Sequence, residues 1–265
     1  MSEVTTPYAP GTPCWIDLMV PDQQAALDFY RDLFGWQGEV GPDDLGGYSV
    51  CTLRGKPVAG IMKTMTPAAG SPAPPPPHWT SYFASADAAA TEAAISSNGG
   101  SVISPTMDVS TIGRMLMAAD PQGAVFGIWE PLEFQGAQIV NEPGALVWNQ
   151  LTTSDPEAAG TFYRAALGLD AGPIPEMPGF TGFHVDGHLV GGVQGAENLP
   201  EGVAPHWLVN FAVDDTDSVV DALVRAGGSV LAPAFDMDSV GRMAVLQDPQ
   251  GTAFAVVAQS EPTAA

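Results

Sequence analysis

Apolar and polar positions along the chain follow two periods, and the order in which the periods recur predicts its architecture. An apolar run over 15–20 reads as a strand. After it Asp22 can cap a helix whose Ala25, Ala26, Phe29, Tyr30 and Leu33 fall on one stripe, and Gly35 ends that helix. Strand-like runs follow over 48–53 and 58–65, with Arg54-Gly55 as the hairpin between them. A second stretch of the same plan has a strand over 79–84 and an alanine-rich helix over 87–97 that stops at Asn98-Gly99-Gly100. It closes with a hairpin of 114–119 and 124–129 around Asp120-Pro121-Gln122-Gly123, where proline fixes the second turn position and glycine the fourth.

The plan then repeats. WIDLMVPDQQAALDFYRDLFG, from Trp15, matches WNQLTTSDPEAAGTFYRAALG, from Trp148, at a constant offset; PHWTSYFASAD through GRMLMAADPQGAVF matches PHWLVNFAVDD through GRMAVLQDPQGTAF without a gap. In the third quarter Asp155 caps a helix with Pro156 at its first position, and Asp186-Gly187 turns between 183–185 and 188–193. The fourth has a strand over 207–213, a helix over 216–226 stopped by Gly227-Gly228, and a hairpin of 242–247 and 252–257 around Asp248-Pro249-Gln250-Gly251. Two duplicate domains are therefore expected, 8–137 and 143–260, each of two units. A proline-rich segment at 71–77 is expected to be an extended spacer.

Composition narrows the partners. With 45% hydrophobic residues the chain can build sizeable cores, and its formal net charge of −22 disfavours nucleic acid and anionic membranes. Cys14 and Cys51 fit neither a disulfide scaffold nor a zinc ribbon. No run is long enough to span a membrane, and the start, MSEVTTPY, lacks signal-peptide character, so a soluble cytoplasmic protein is expected.

Taken together, the DFYRDLFG and TFYRAALG segments, the Gly-Gly helix ends and the two DPQG turns resemble the vicinal oxygen chelate superfamily, which groups glyoxalases, bleomycin-resistance proteins and extradiol dioxygenases. More narrowly, the chain is similar to four-module actinobacterial glyoxalase-like proteins labelled hydroxylases, some of them accessory to aromatic polyketide pathways. The resemblance implies an α+β fold of four βαβββ modules forming two cup-shaped domains, with a site inside a cup. First may pair with second or first with fourth, since both arrangements occur among relatives.

The resemblance also implies where a metal would sit. Metal-using members place a His or Gln at the positions of Trp15 and Trp148, a second ligand near Thr80 and Leu208, and a Glu at Gly127 and Ala255. None of these replacements is an ordinary ligand, so no metal and no cofactor are expected. Glu130 reads as an exposed strand end.

Alternation puts Trp15, Asp17 and Met19 on one face, with Trp148, Gln150 and Thr152 as their copies; His78, Thr80 and Tyr82 share a face, as do His206, Leu208 and Asn210, and Trp129 lies on the closing strand. Gly127 and Ala255 are expected to leave room for a ligand. Asp17, His78 and Tyr82 are the candidate catalytic groups; Trp15, Met19, Thr80, Trp129, Trp148, Gln150, His206, Asn210, Arg114 and Arg242 are candidate ligand contacts. Each has a plain alternative. The tryptophans can plug their sheets, the histidines can bond to backbone, Arg114 can pair with Asp17 or Asp108, and Arg242 with Asp236. The first cup looks better equipped than the second.

The expected function is metal-independent binding or remodelling of a small, largely apolar or aromatic metabolite, with tailoring in a natural-product pathway as one setting. Sequestration of a drug without catalysis is the alternative, and metal-dependent lyase or dioxygenase chemistry the second. A small-molecule ligand or substrate is the expected partner, and a homodimer is left open.

Overall fold

Aspartates that start the helices do what their spacing requires. The carboxylates of Asp22, Asp87, Asp155 and Asp215 each accept a hydrogen bond from the backbone N–H three residues on, which fixes the strand-to-helix turn in all four units. Gly35 and Gly168 end two helices in the left-handed conformation that lacks a Cβ penalty. The computed structural model describes residues 3–43, 46–64, 76–175, 177–197 and 202–260, except the side chains at 178 and 179. Most of the expected proline-rich spacer lies outside the described residues.

The first unit comprises β1 (Pro13–Val20), α1 (Gln23–Phe34), β2 (Ser49–Leu53) and β3 (Lys56–Lys63). The second has β4 (Trp79–Ala84), α2 (Ala88–Ser97), β5 (Ser101–Val109), β6 (Gly113–Ala119) and β7 (Val125–Pro131). The third has β8 (Leu146–Thr153), α3 (Pro156–Leu167), β9 (Asp170–Ile174), β10 (Met177–Val185) and β11 (His188–Gly195). The fourth has β12 (His206–Ala212), α4 (Thr216–Arg225), β13 (Ser229–Met237), β14 (Gly241–Gln247) and β15 (Ala253–Gln259). Strands β5, β9 and β13 are not visible as apolar runs. All three are sheet edges, where half the positions face water and prolines such as Pro105 and Pro233 are tolerated.

The α+β architecture of four βαβββ-like units is as expected, and the pairing question is settled within each sheet. First and second units share one sheet, in the order β2-β3-β1-β4-β7-β6-β5; third and fourth share the other, β13-β14-β15-β12-β8-β11-β10-β9. Packing crosses between the halves. Ile16, Phe29, Tyr30 and Phe34 of the first unit share a core with Leu223, Leu246 and Phe254 of the fourth, while Phe83 and Ile95 of the second meet Phe162 and Tyr163 of the third.

Buried polar groups lock that packing. The Tyr30 hydroxyl donates to Asp248 over 3.0 Å and accepts from the Trp79 indole over 3.2 Å; Tyr163 does the same with Asp120 over 3.2 Å and Trp207 over 2.9 Å. The other oxygen of each aspartate accepts two backbone N–H groups, from the glutamine of its own DPQG turn and from Ala124 or Thr252 just after it. The repeated FYR and DPQG segments are thus two halves of one inter-domain contact, made twice. Both sheets keep their other face for the cups.

Candidate functional site

Strand alternation builds the first cup. On β1 the side chains of Ile16, Leu18 and Val20 enter the helix-side core, so Trp15, Asp17 and Met19 face the other way. Register places Trp15 beside Tyr82, Asp17 beside Thr80, and Tyr82 beside Gly127, which brings the residues singled out on three strands to one place. Trp129 closes the far side, its indole N–H donating to the Phe134 carbonyl over 2.8 Å, and Phe134 meets the Trp15 ring edge-on at 4.9 Å.

At the centre is Asp17, only 7% exposed. Its Oδ2 accepts from the Tyr82 hydroxyl over 3.0 Å and, more weakly, from the Tyr48 hydroxyl over 3.4 Å. Tyr48 in turn accepts from the Trp15 indole over 2.7 Å. Oδ1 receives no hydrogen bond among the described residues. Burial pushes the Asp17 carboxyl up to about 7, against the pull of Tyr82 and then Tyr48, whose donated bonds favour the carboxylate. Burial and the neighbouring Asp17 raise both tyrosines well above their ordinary range, so they stay protonated donors. A carboxyl that exchanges its proton near neutrality, oriented by two phenols, is suited to acid–base work.

Two glycines make this cluster possible. A Cβ on Gly60 would collide with the Tyr48 hydroxyl, and one on Gly127 with the Tyr82 ring. Gly127 was expected to leave room for a ligand; instead the Tyr82 ring fills that space. Tyr48 was not expected in the site at all. It precedes a short edge strand, and the pairing that brings it over Gly60 depends on a register shift between Cys51 and Thr52.

The remaining candidates divide. Met19 is half-buried on the cup face, and Thr80 is buried there. His78 and His206 are half-buried, and each turns Nδ1 to the carbonyl two residues upstream at 2.9 Å; neither hydrogen-bonds to the Asp17 cluster among the described residues. Arg114 and Arg242 do not reach the cups, which corrects their expected role as ligand contacts. Arg114 pairs in register with Glu130, one step out of phase with inward-facing Met115 and Trp129, and binds Asp108 at 2.8 Å and Glu130 at 3.6 Å. Arg242 holds Asp217 and Asp236 at 2.6 and 3.2 Å. Asp17 therefore has tyrosines rather than Arg114 as partners. Glu130 is half-buried and accepts the backbone N–H of Ala88, so it caps α2 rather than standing as a free strand end.

In the second cup the register-equivalent positions carry different chemistry. Gln150 replaces Asp17, Asn210 replaces Tyr82, and Phe180 stands where Tyr48 does. The Trp148 indole donates to Gln150 Oε1 over 2.9 Å. Trp148 is half-buried, whereas Trp15 is 4% exposed, so the first cup is richer in ionisable groups and the second is the more open.

The positions at which the resemblance implies a metal do converge, but their side chains do not fit one. Trp15, Thr80 and Gly127 in one cup and Trp148, Leu208 and Ala255 in the other supply indoles, a hydroxyl and hydrocarbon. Among the described residues no three His, Cys, Asp or Glu side chains gather as a divalent site would require.

Comparison with known proteins bears on the family and the fold. A family model described as the Glyoxalase/Bleomycin resistance protein/Dioxygenase superfamily matches residues 13–128, and one described as a Glyoxalase-like domain matches 147–257. The chain is 42% identical over 254 residues to a Mycobacterium tuberculosis protein named "Putative glyoxylase CFP32", covering 94% of this chain and 95% of that one. It is 40% identical over 266 residues to the anthracycline biosynthesis protein DnrV of Streptomyces peucetius, covering 95% and 94%. Among solved structures, the Mn(II)-bound glyoxalase from Novosphingobium aromaticivorans superposes with a TM-score of 0.65 at 15% identity, covering 95% of this chain and 83% of that one. The 2,3-dioxygenase LapB from Pseudomonas sp. KL28 gives 0.64 at 14%, covering 98% and 97%. At such identity these two structures speak to the fold alone.

Proposed function

The chain belongs to the glyoxalase/bleomycin resistance protein/dioxygenase superfamily, and from that premise we propose that its first cup binds a small, largely aromatic metabolite and moves a proton on it without a metal ion. One observation carries the reading. Where a relative that uses a metal would hold it, this chain has a buried carboxyl at about 7, flanked by protonated tyrosines and walled by indoles.

Asp17 in its carboxylate form takes a proton from a substrate carbon or oxygen through Oδ1, and Tyr82 and Tyr48 hold the opposite oxygen so that the carboxyl does not rotate away. The same proton, returned to another atom of the substrate, completes an isomerisation with no oxidant and no net change in charge. Trp15, Trp129 and Phe134 pack edge to face beside the Asp17 cluster and give it an apolar aromatic wall. A planar polyketide is the substrate class supported by the 40% identity to a protein named for anthracycline biosynthesis. The formal charge of −22 favours a second reading, retention of a cationic drug without chemistry.

The two readings part in deuterated water. Polycyclic hydroxyquinones incubated with the chain and analysed by mass spectrometry should gain deuterium at carbon, at least 100-fold more slowly with Asp17→Asn. A tight complex that returns the ligand without deuterium means sequestration, and absence of both binding and exchange rejects the proposal.

A further inference from the structure

The second cup has lost the features that close the first. Asn210 stands where Tyr82 fills the first cup and Val257 where Trp129 does, so two aromatic rings are gone, and Trp148 is left half-buried. Gly192 keeps the floor low: a Cβ there would lie 2.8 Å from the Trp148 ring and 2.7 Å from Gln150 Oε1. That glycine pairs in register with Gln150 as Gly60 does with Asp17, yet what it admits is a carboxamide and an indole rather than a phenol.

No ionisable group replaces Asp17 at this floor. Gln150 is oriented from both ends, accepting from the Trp148 indole and donating to the Leu151 carbonyl over 3.1 Å, which leaves it one N–H and one lone pair. Asn210, 2% exposed, donates to the Leu208 carbonyl over 3.1 Å, and its Oδ1 accepts no hydrogen bond among the described residues. Thr152 accepts from Gln194 over 3.1 Å.

The geometry points to the second cup as a separate binding site for a flat, uncharged molecule carrying carbonyl and hydroxyl groups, stacked on Trp148 and hydrogen-bonded by Gln150 and Asn210. Because no carboxyl stands at the Asp17 position of its floor, it binds without proton transfer there. Each chain thus has one cup for chemistry and one for holding a related molecule, and the second does not depend on the first being catalytic.

The test uses 1,8-dihydroxyanthraquinone as probe and the full-length chain. Calorimetry gives affinity and stoichiometry, and the Trp148 indole N–H resonance, assigned with Trp148→Phe, reports position. Saturable binding should shift that resonance. Affinity at this site should fall at least tenfold in Trp148→Ala and in Gln150→Leu, a substitution at a half-buried position, with the fold of each variant checked by circular dichroism. It should hold within twofold in Asp17→Asn. A probe that leaves the Trp148 resonance unmoved, or whose binding survives both cup-two substitutions, overturns the inference. If Asp17→Asn abolishes deuterium exchange while the Trp148 site is unaffected, both readings stand; if exchange is absent from the wild type but the Trp148 shift persists, only the first-cup reading falls.

Discussion

The Tyr82 hydroxyl points at Asp17 Oδ2 from 3.0 Å, across neighbouring antiparallel strands. That bond lowers the carboxyl from where burial alone would hold it, and the 3.4 Å bond from Tyr48 does so less. Tyr82→Phe should therefore raise the Asp17 midpoint above 7 and move the alkaline rise of any proton-exchange rate to higher pH. Tyr48→Phe should do the same by a smaller amount. The check is the pH profile of deuterium incorporation in both variants, and equal or opposite shifts would contradict the assignment.

Asp17 also links stability to pH. Its folded value, about 7, lies above the ordinary 3.8, so the folded chain holds this proton more tightly than the unfolded one. The stability that Asp17 contributes is fully present below pH 3.8 and is lost as pH rises to about 7, on the order of 4 kcal/mol over that window. Asp17→Asn removes the dependence. In urea melts the variant should match the wild type near pH 4 and exceed it above pH 7; a constant difference at all pH values would deny the burial cost.

The glycines opposite the cluster should behave as positioning residues. Gly60→Ala puts a methyl group where the Tyr48 hydroxyl lies, and the expected result is an Asp17 midpoint like that of Tyr48→Phe, with a stability loss of about 1 kcal/mol. Gly127→Ala meets the rigid Tyr82 ring instead, and should cost about 1–3 kcal/mol by overpacking. Denaturant midpoints and the carboxyl titration distinguish the two.

Tyr30 and Tyr163 are separated by half the chain but do one job. Removing the Tyr30 hydroxyl leaves Asp248 and the Trp79 indole without a shared partner in a buried place, so Tyr30→Phe should destabilise the protein by about 1–3 kcal/mol. Tyr163→Phe should cost a similar amount through Asp120 and Trp207. If both were neutral in equilibrium unfolding, the cross-domain contact would carry no energy.

What was legible in the sequence follows from local chemistry. The duplicate plan, the aspartate caps, the glycine stops and the inward set Trp15, Asp17 and Met19 all come from spacing within one element. The same alternation sets Arg114 on the face opposite Met115, but only the register with β7 shows that Trp129 shares the Met115 side. Tyr48 was hidden because its position rests on a bulge and on empty space above Gly60, neither of which has a periodic signature. Tyr30 with Asp248 was hidden for another reason: a hydrogen bond between residues 218 apart is a property of tertiary packing. The openness of the second cup comes from missing rings on several strands at once, and becomes visible only when register aligns them.

Carbon-13 NMR titration of aspartate carboxyls, with Asp17 identified by comparison with Asp17→Asn and the protein stripped by chelator beforehand, tests the account at its centre. A midpoint near 7 that is indifferent to chelation is the result expected of a proton-handling Asp17 held by Tyr82. A midpoint near the ordinary 3.8, or a signal that changes when manganese or iron is restored, would contradict it.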